Sequence, residues 1–152
     1  MRNKARWILL VLLAVLALAL VACDGDGYDR QEDPAPTQAA AAPGTFTTVD
    51  VRQAHDALSN GNDAIIVDVR TAQEWAQTGV PVGATLIPLD EIAQRAGELP
   101  QDRPIYLICN SGNRSRVAAD ALVERGFTSV YNVDGGIQAW LRAELPTEPY
   151  TP

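Results

Sequence analysis

Across residues 45–145, short uninterrupted apolar runs alternate with stretches of helical periodicity, and this alternation constrains the fold more tightly than any other feature of the chain. Residues 64–67, 84–87, 105–108 and 130–133 carry the runs (AIIV, ATLI, IYLI, VYNV), with a weaker one at 45–49. Runs without polar alternation suit strands of a parallel sheet covered on both faces. Between them, helices are predicted at 51–60 behind Asp50, at 72–78 behind Thr71, and at 91–97, 115–125 and 137–144. Thr71 with Glu74 spells a capping box, and Gly126 stands where it would end a helix. Val117, Ala118, Ala121 and Leu122 are expected on one side of the fourth helix, facing the sheet. The pattern predicts an α/β fold, a three-layer α/β/α domain with a central parallel sheet of about five strands. A chain of 152 residues has material for one such core and not for two.

In open α/β sheets, ligands bind beyond the carboxyl ends of the strands. Cys109 sits at such an end: it follows the run at 105–108 and opens the loop Cys109-Asn110-Ser111-Gly112-Asn113-Arg114, ahead of a helix expected from Ser115. A loop of this kind, with a central glycine, can turn its backbone N–H groups toward the sulfur. The helix N-terminus adds a partial positive charge and Arg114 adds a guanidinium. All three favour a thiolate and suit an anionic substrate, so the Cys109 pKa is predicted to be lowered in an electropositive, partly exposed site. The bland alternative is a small buried hydrophobe at a strand end. Asparagine, serine, glycine and arginine argue against it, because they do not build an apolar pocket.

Cys109-Asn-Ser-Gly-Asn-Arg-Ser115 resembles the active-site loop of single-domain rhodaneses. The likeness extends over residues 45–145. Ile66-Val-Asp-Val-Arg70 followed by Glu74-Trp75, Gly83-Ala84 with Ile87-Pro88, and Val133-Asp-Gly-Gly-Ile137 with Ala139-Trp140 are similar to further family segments. Gly79-Val80-Pro81 departs from the family's usual glycine, histidine and isoleucine. The resemblance implies a rhodanese-like domain at 45–146, a C-terminal tail at 147–152, and the activity of a thiosulfate sulfurtransferase. Cys109 would take sulfane sulfur from thiosulfate or a related small anionic donor as a persulfide and pass it to a thiol or cyanide. Arg114 and the loop residues Asn110, Ser111, Gly112, Asn113 and Ser115 would hold the donor. Asp68 and Arg70 end the neighbouring strand, either as supports of that loop or as an ordinary salt-bridged strand end.

Two rival readings use the same cysteine: a persulfide carrier or redox-sensing module without efficient turnover, and a phosphatase or arsenate reductase. Phosphatases of that type place five residues between cysteine and arginine. Here Asn110 to Asn113 are four, a tighter loop around a tetrahedral anion. The only histidine, His55, is expected on the surface of a helix, which sets aside a Cys-His hydrolase, and one histidine with one uncommitted thiol makes a zinc site improbable. No cofactor is implied, since a P-loop and a dinucleotide fingerprint are both missing.

The first residues carry a separate message. Arg2, Lys4 and Arg6 precede sixteen uncharged residues, 7–22, the layout of an export signal, and Leu20-Val21-Ala22-Cys23 resembles the lipobox of bacterial lipoproteins. The expectation is a lipoprotein signal peptide at 1–22, a lipidated Cys23 and a flexible proline- and glycine-rich linker to residue 44. The product would be extracytoplasmic, anchored to the membrane by acyl chains. Asp24 resembles a retention signal for the periplasmic face of the inner membrane, in a host with two membranes. Removing the three basic residues takes the net charge from −7 to −10 on a lysine-free chain, which excludes nucleic acid as a partner.

Overall fold

The structure, a computed structural model, describes residues 44–152. The predicted signal peptide, the Cys23 lipidation site and the linker up to residue 43 lie outside the described residues. A five-stranded, wholly parallel sheet runs in the order β1 (Thr47–Val49), β6 (Val130–Val133), β5 (Ile105–Ile108), β2 (Ile65–Asp68), β4 (Thr85–Leu86). Helices α1 (Val51–Ser59), α2 (Ala72–Thr78), α3 (Ile92–Arg95, continuing as a 3-10 turn over Ala96–Glu98), α4 (Asn113–Val123) and α5 (Gly136–Arg142) connect the strands.

The central strands are mostly apolar on both sides because both sides are covered, Asn132 of β6 and Asp68 at the end of β2 being the buried polar exceptions. Along β5, Ile105 and Leu107, with Cys109 beyond them, join the core under α3 and α4, while Tyr106 and Ile108 join the core under α1 and α5. The predicted capping box forms, the Thr71 hydroxyl accepting from the Glu74 N–H while the Glu74 carboxylate accepts from the Thr71 N–H. A second one closes the start of α1, where the Asp50 side chain accepts from the Arg52 and Gln53 N–H groups and the Gln53 side chain accepts from the Asp50 N–H.

Three expectations need correction. On α4 the buried residues are Ser115, Ala118, Ala119 and Leu122, whereas Val117 is 56% exposed. The helix also starts two residues earlier than expected, at Asn113, and its inward face is turned by one residue from the predicted one. The last residues are not a mere tail: Thr147–Glu148 forms β7, antiparallel to β3 (Val80–Pro81). The Gly79-Val80-Pro81 segment is thereby accounted for. Gly79 ends α2 with φ +73°, and a Cβ there would stand 2.7 Å from the Glu148 carbonyl oxygen, so the close strand contact requires glycine. His55 lies on α1 as expected, 30% exposed, with one edge of its ring against Trp140 at 5.8 Å.

The strand order places the site. From β2 the chain moves outward to β4; from β5 it moves the other way to β6. The carboxyl ends of β2 and β5 therefore lie side by side at the point where the winding reverses, the position at which open α/β sheets form a crevice.

Candidate active site

Cys109 follows β5 and Asp68 ends β2, so both reach that crevice. The loop after Cys109 is shorter than predicted. Gly112 adopts φ +97° and α4 begins at Asn113, which puts Arg114 in the first helical turn. A Cβ on Gly112 would stand 3.2 Å from Asp134 Oδ1 and 3.3 Å from the Gly135 nitrogen, so both the conformation and the space call for glycine.

The sulfur sits inside a cradle of donors. Gly112 N–H donates to Cys109 Sγ at 3.2 Å, and the Ser115 hydroxyl lies 3.4 Å from it. Burial pushes the thiol pKa up, but the Ser115 hydroxyl and the N–H groups of Ser115, Ser111 and Gly112 pull it down by more, and the net shift is downward. Cys109 is only 1% exposed and packs in the core under α4, so the expected partial exposure does not hold. The opposition between a buried hydrophobe and a polar cradle dissolves here: the strand end buries the residue while the loop N–H groups solvate its sulfur. Asn110 is half-buried; Ser111 and Asn113 are exposed at the rim.

Arg114 does not lie bare at this rim. Its Nη1 and Nη2 donate to the two oxygens of Glu74 at 2.8 and 2.5 Å across 40 residues of sequence. Hydrogen bonding from Arg114 is the main reason that the Glu74 carboxyl is held down to about 2. Glu74 thus has two roles, closing the N-terminus of α2 and fixing the guanidinium end-on. The pair is about one-third exposed, 35% for Arg114 and 29% for Glu74. Among the described residues the Arg114 Nε–H has no protein partner.

Asp68 and Arg70 form a completely buried pair. Arg70 Nε donates to both Asp68 oxygens at 3.0 and 2.9 Å and Nη2 to Oδ2 at 2.6 Å, while the far side of the guanidinium donates to Thr78 Oγ1 and the Gly79 carbonyl. The pair ties the end of β2 to the end of α2, the helix that carries Glu74.

Two further contributions were not singled out from sequence. Asn132 of β6 is fully buried, and its Oδ1 accepts from Ser115 Oγ at 2.7 Å. The one polar residue inside the run VYNV was the available signal. Gly136, φ +54°, seats the start of α5 against the cysteine loop: Ile137 N–H donates to the Cys109 carbonyl at 2.8 Å, and a Cβ on Gly136 would overlap the Cys109 and Asn110 carbonyls. That pressure for glycine explains the Gly135-Gly136 pair, which carries no nucleotide-binding spacing.

Residues 49–143 match the rhodanese-like domain. The chain belongs to the rhodanese-like family. Its relatives include a sulfurtransferase of Allochromatium vinosum, 38% identical over 98 residues, covering 64% of this chain and 91% of the relative. A thiosulfate sulfurtransferase of Glaesserella parasuis is 36% identical over 104 residues, covering 68% and 94%. Among solved structures, a rhodanese-like domain protein from Staphylococcus aureus superposes with a TM-score of 0.62 at 28% identity, covering 70% of this chain and all of that one. The five-stranded parallel sheet with its flanking helices is therefore the rhodanese-like fold, and Cys109 opens the loop that follows its central strand.

Proposed function

We propose that this rhodanese-like domain is a thiosulfate-type sulfurtransferase that carries sulfane sulfur on Cys109. The Cys109 thiolate attacks the outer sulfur of thiosulfate; the new S–S bond forms as the bond to the sulfonyl group breaks, and sulfite leaves with the electron pair. A thiol or cyanide then attacks the terminal sulfur of the persulfide and restores the thiolate. The observation that carries this reading is the donor cradle around one sulfur, Gly112 N–H and the Ser115 hydroxyl, whose pull on the thiol exceeds the cost of burial. The sulfurtransferase relatives support it. The Leu20-Val21-Ala22-Cys23 signal adds the proposal that the domain works outside the cytoplasm, tethered by a lipidated Cys23.

Mixing the protein with thiosulfate and no acceptor is expected to add the mass of one sulfur atom and release one sulfite per chain, reversed by cyanide or a dithiol. Loading should rise with pH through a midpoint below that of an ordinary cysteine and then level off, because only the thiolate attacks. Protein that stays unmodified by thiosulfate and other sulfane donors, with its fold intact, would defeat the reading.

Arg114→Lys is expected to lower kcat/KM for thiosulfate by roughly tenfold, about the worth of one charge-assisted hydrogen bond. An ammonium cannot span both Glu74 oxygens and still present a fixed planar edge to an anion. An unchanged kcat/KM would remove Arg114 from donor binding.

A further inference from the structure

Ser115 Oγ carries one proton and has three acceptors within reach: Asn132 Oδ1 at 2.7 Å, the Gly112 carbonyl at 3.2 Å and Cys109 Sγ at 3.4 Å. The shortest contact goes to Asn132. Its position is dictated by register: Asn132 stands opposite Thr48 of β1 and Leu107 of β5, and shares with Val130 the sheet face turned to α4, where Ser115 lies. The amide Nδ2 is directed to Thr48 Oγ1 at 3.5 Å, and the residue is 0% exposed. A buried acceptor has no water to replace a lost donor, so Asn132 resists giving up the serine proton.

We propose that Asn132 is a positioning residue for Cys109, acting by holding the single Ser115 hydroxyl proton that the sulfur competes for. While Cys109 is protonated, Ser115 donates to Asn132, and its oxygen is left to accept from the thiol. When the thiol ionises, the sulfur keeps the Gly112 N–H and draws the Ser115 hydroxyl toward itself, at the expense of Asn132. Asn132 therefore acts as a brake on formation of the nucleophile. The other charged groups about the sulfur are Arg114 on α4 with Glu74 on α2, the Asp68–Arg70 pair at the end of β2, and Asp134 against Gly112. None of them hydrogen-bonds Ser115 or Asn132, and the variants below leave all of them in place.

The proposal rests on Cys109 being the working sulfur, but its test needs no sulfur donor, so its failure is distinct from failure of the sulfurtransferase reading. Ultraviolet thiolate absorbance is titrated on the full chain, with the Cys109→Ser protein subtracted to remove Cys23. Asn132→Ala and Asn132→Leu, which both lack the acceptor, are expected to raise the Cys109 ionisation constant about threefold to tenfold, the factor that one hydrogen bond is worth. In a Ser115→Ala background the same substitutions should leave it unchanged. An equal shift in both backgrounds, no shift, or a fall in the ionisation constant would overturn the proposal. Should these variants not fold, the wild-type protein still decides: the Asn132 side-chain amide resonances should move with the Cys109 midpoint, and their constancy through it would overturn the proposal equally.

Discussion

Cys109→Ser is expected to abolish sulfur loading and turnover while leaving the domain folded. Serine keeps the size and the strand-end position, and its hydroxyl can accept from the Gly112 N–H that now meets the sulfur at 3.2 Å. What it lacks is the ionised, polarisable nucleophile: a serine hydroxyl is barely ionised at neutral pH and cannot hold a persulfide. The donors that pull the Cys109 thiol down would solvate an oxygen that has no base to deprotonate it, since the only histidine, His55, lies on α1 against Trp140. Mass spectrometry after thiosulfate, beside a circular dichroism spectrum matching wild type, checks both halves. Any sulfur retained stably by the folded variant would place the carrier elsewhere.

The second large effect is on stability. Arg70→Ala is expected to cost about 3–5 kcal/mol, because removing one partner of a buried ion pair leaves the other as an uncompensated charge. Here the stranded group is Asp68, fully buried at the end of β2 and left with the Arg70 backbone N–H of the bonds that now hold it. Thr78 Oγ1 and the Gly79 carbonyl also lose a donor, so the end of α2 comes away from β2. Replacing Asp68 as well should recover part of the loss, since no lone charge then remains. Urea unfolding of the single and double variants gives the comparison; a loss under 1 kcal/mol for Arg70→Ala would mean that water reaches the pair.

Much of the fold is written in local pattern. The runs at 105–108 and 130–133 are the strands β5 and β6 without adjustment, and the Thr71–Glu74 capping box starts α2 where the two residues stand in sequence. Cys109 could be placed at a strand end for the same reason: a strand, a glycine-bearing turn and a helix start are each determined by residues adjacent in the chain. Val117 shows the limit. Helical spacing alone gives the angle between residues but not the rotation of the helix against the sheet, and in the fold Ser115, Ala118, Ala119 and Leu122 turn inward while Val117 faces out.

The sequence by itself determined an α/β domain with a cysteine in a polar strand-to-helix turn, because hydrophobic periodicity, capping and turn chemistry act over a few residues. Only the tertiary structure decided what surrounds that cysteine. Glu74 meets Arg114 from 40 residues away, Asn132 meets Ser115 from 17, and the Gly136 backbone rests on the Cys109 loop, all because the order β1-β6-β5-β2-β4 brings the ends of β2, β5 and β6 together. The same holds for Thr147–Glu148 pairing with Val80–Pro81. Such contacts depend on which strands lie side by side, and strand order is selected by the burial of two whole sheet faces at once, a sum over the domain that no short stretch of sequence contains.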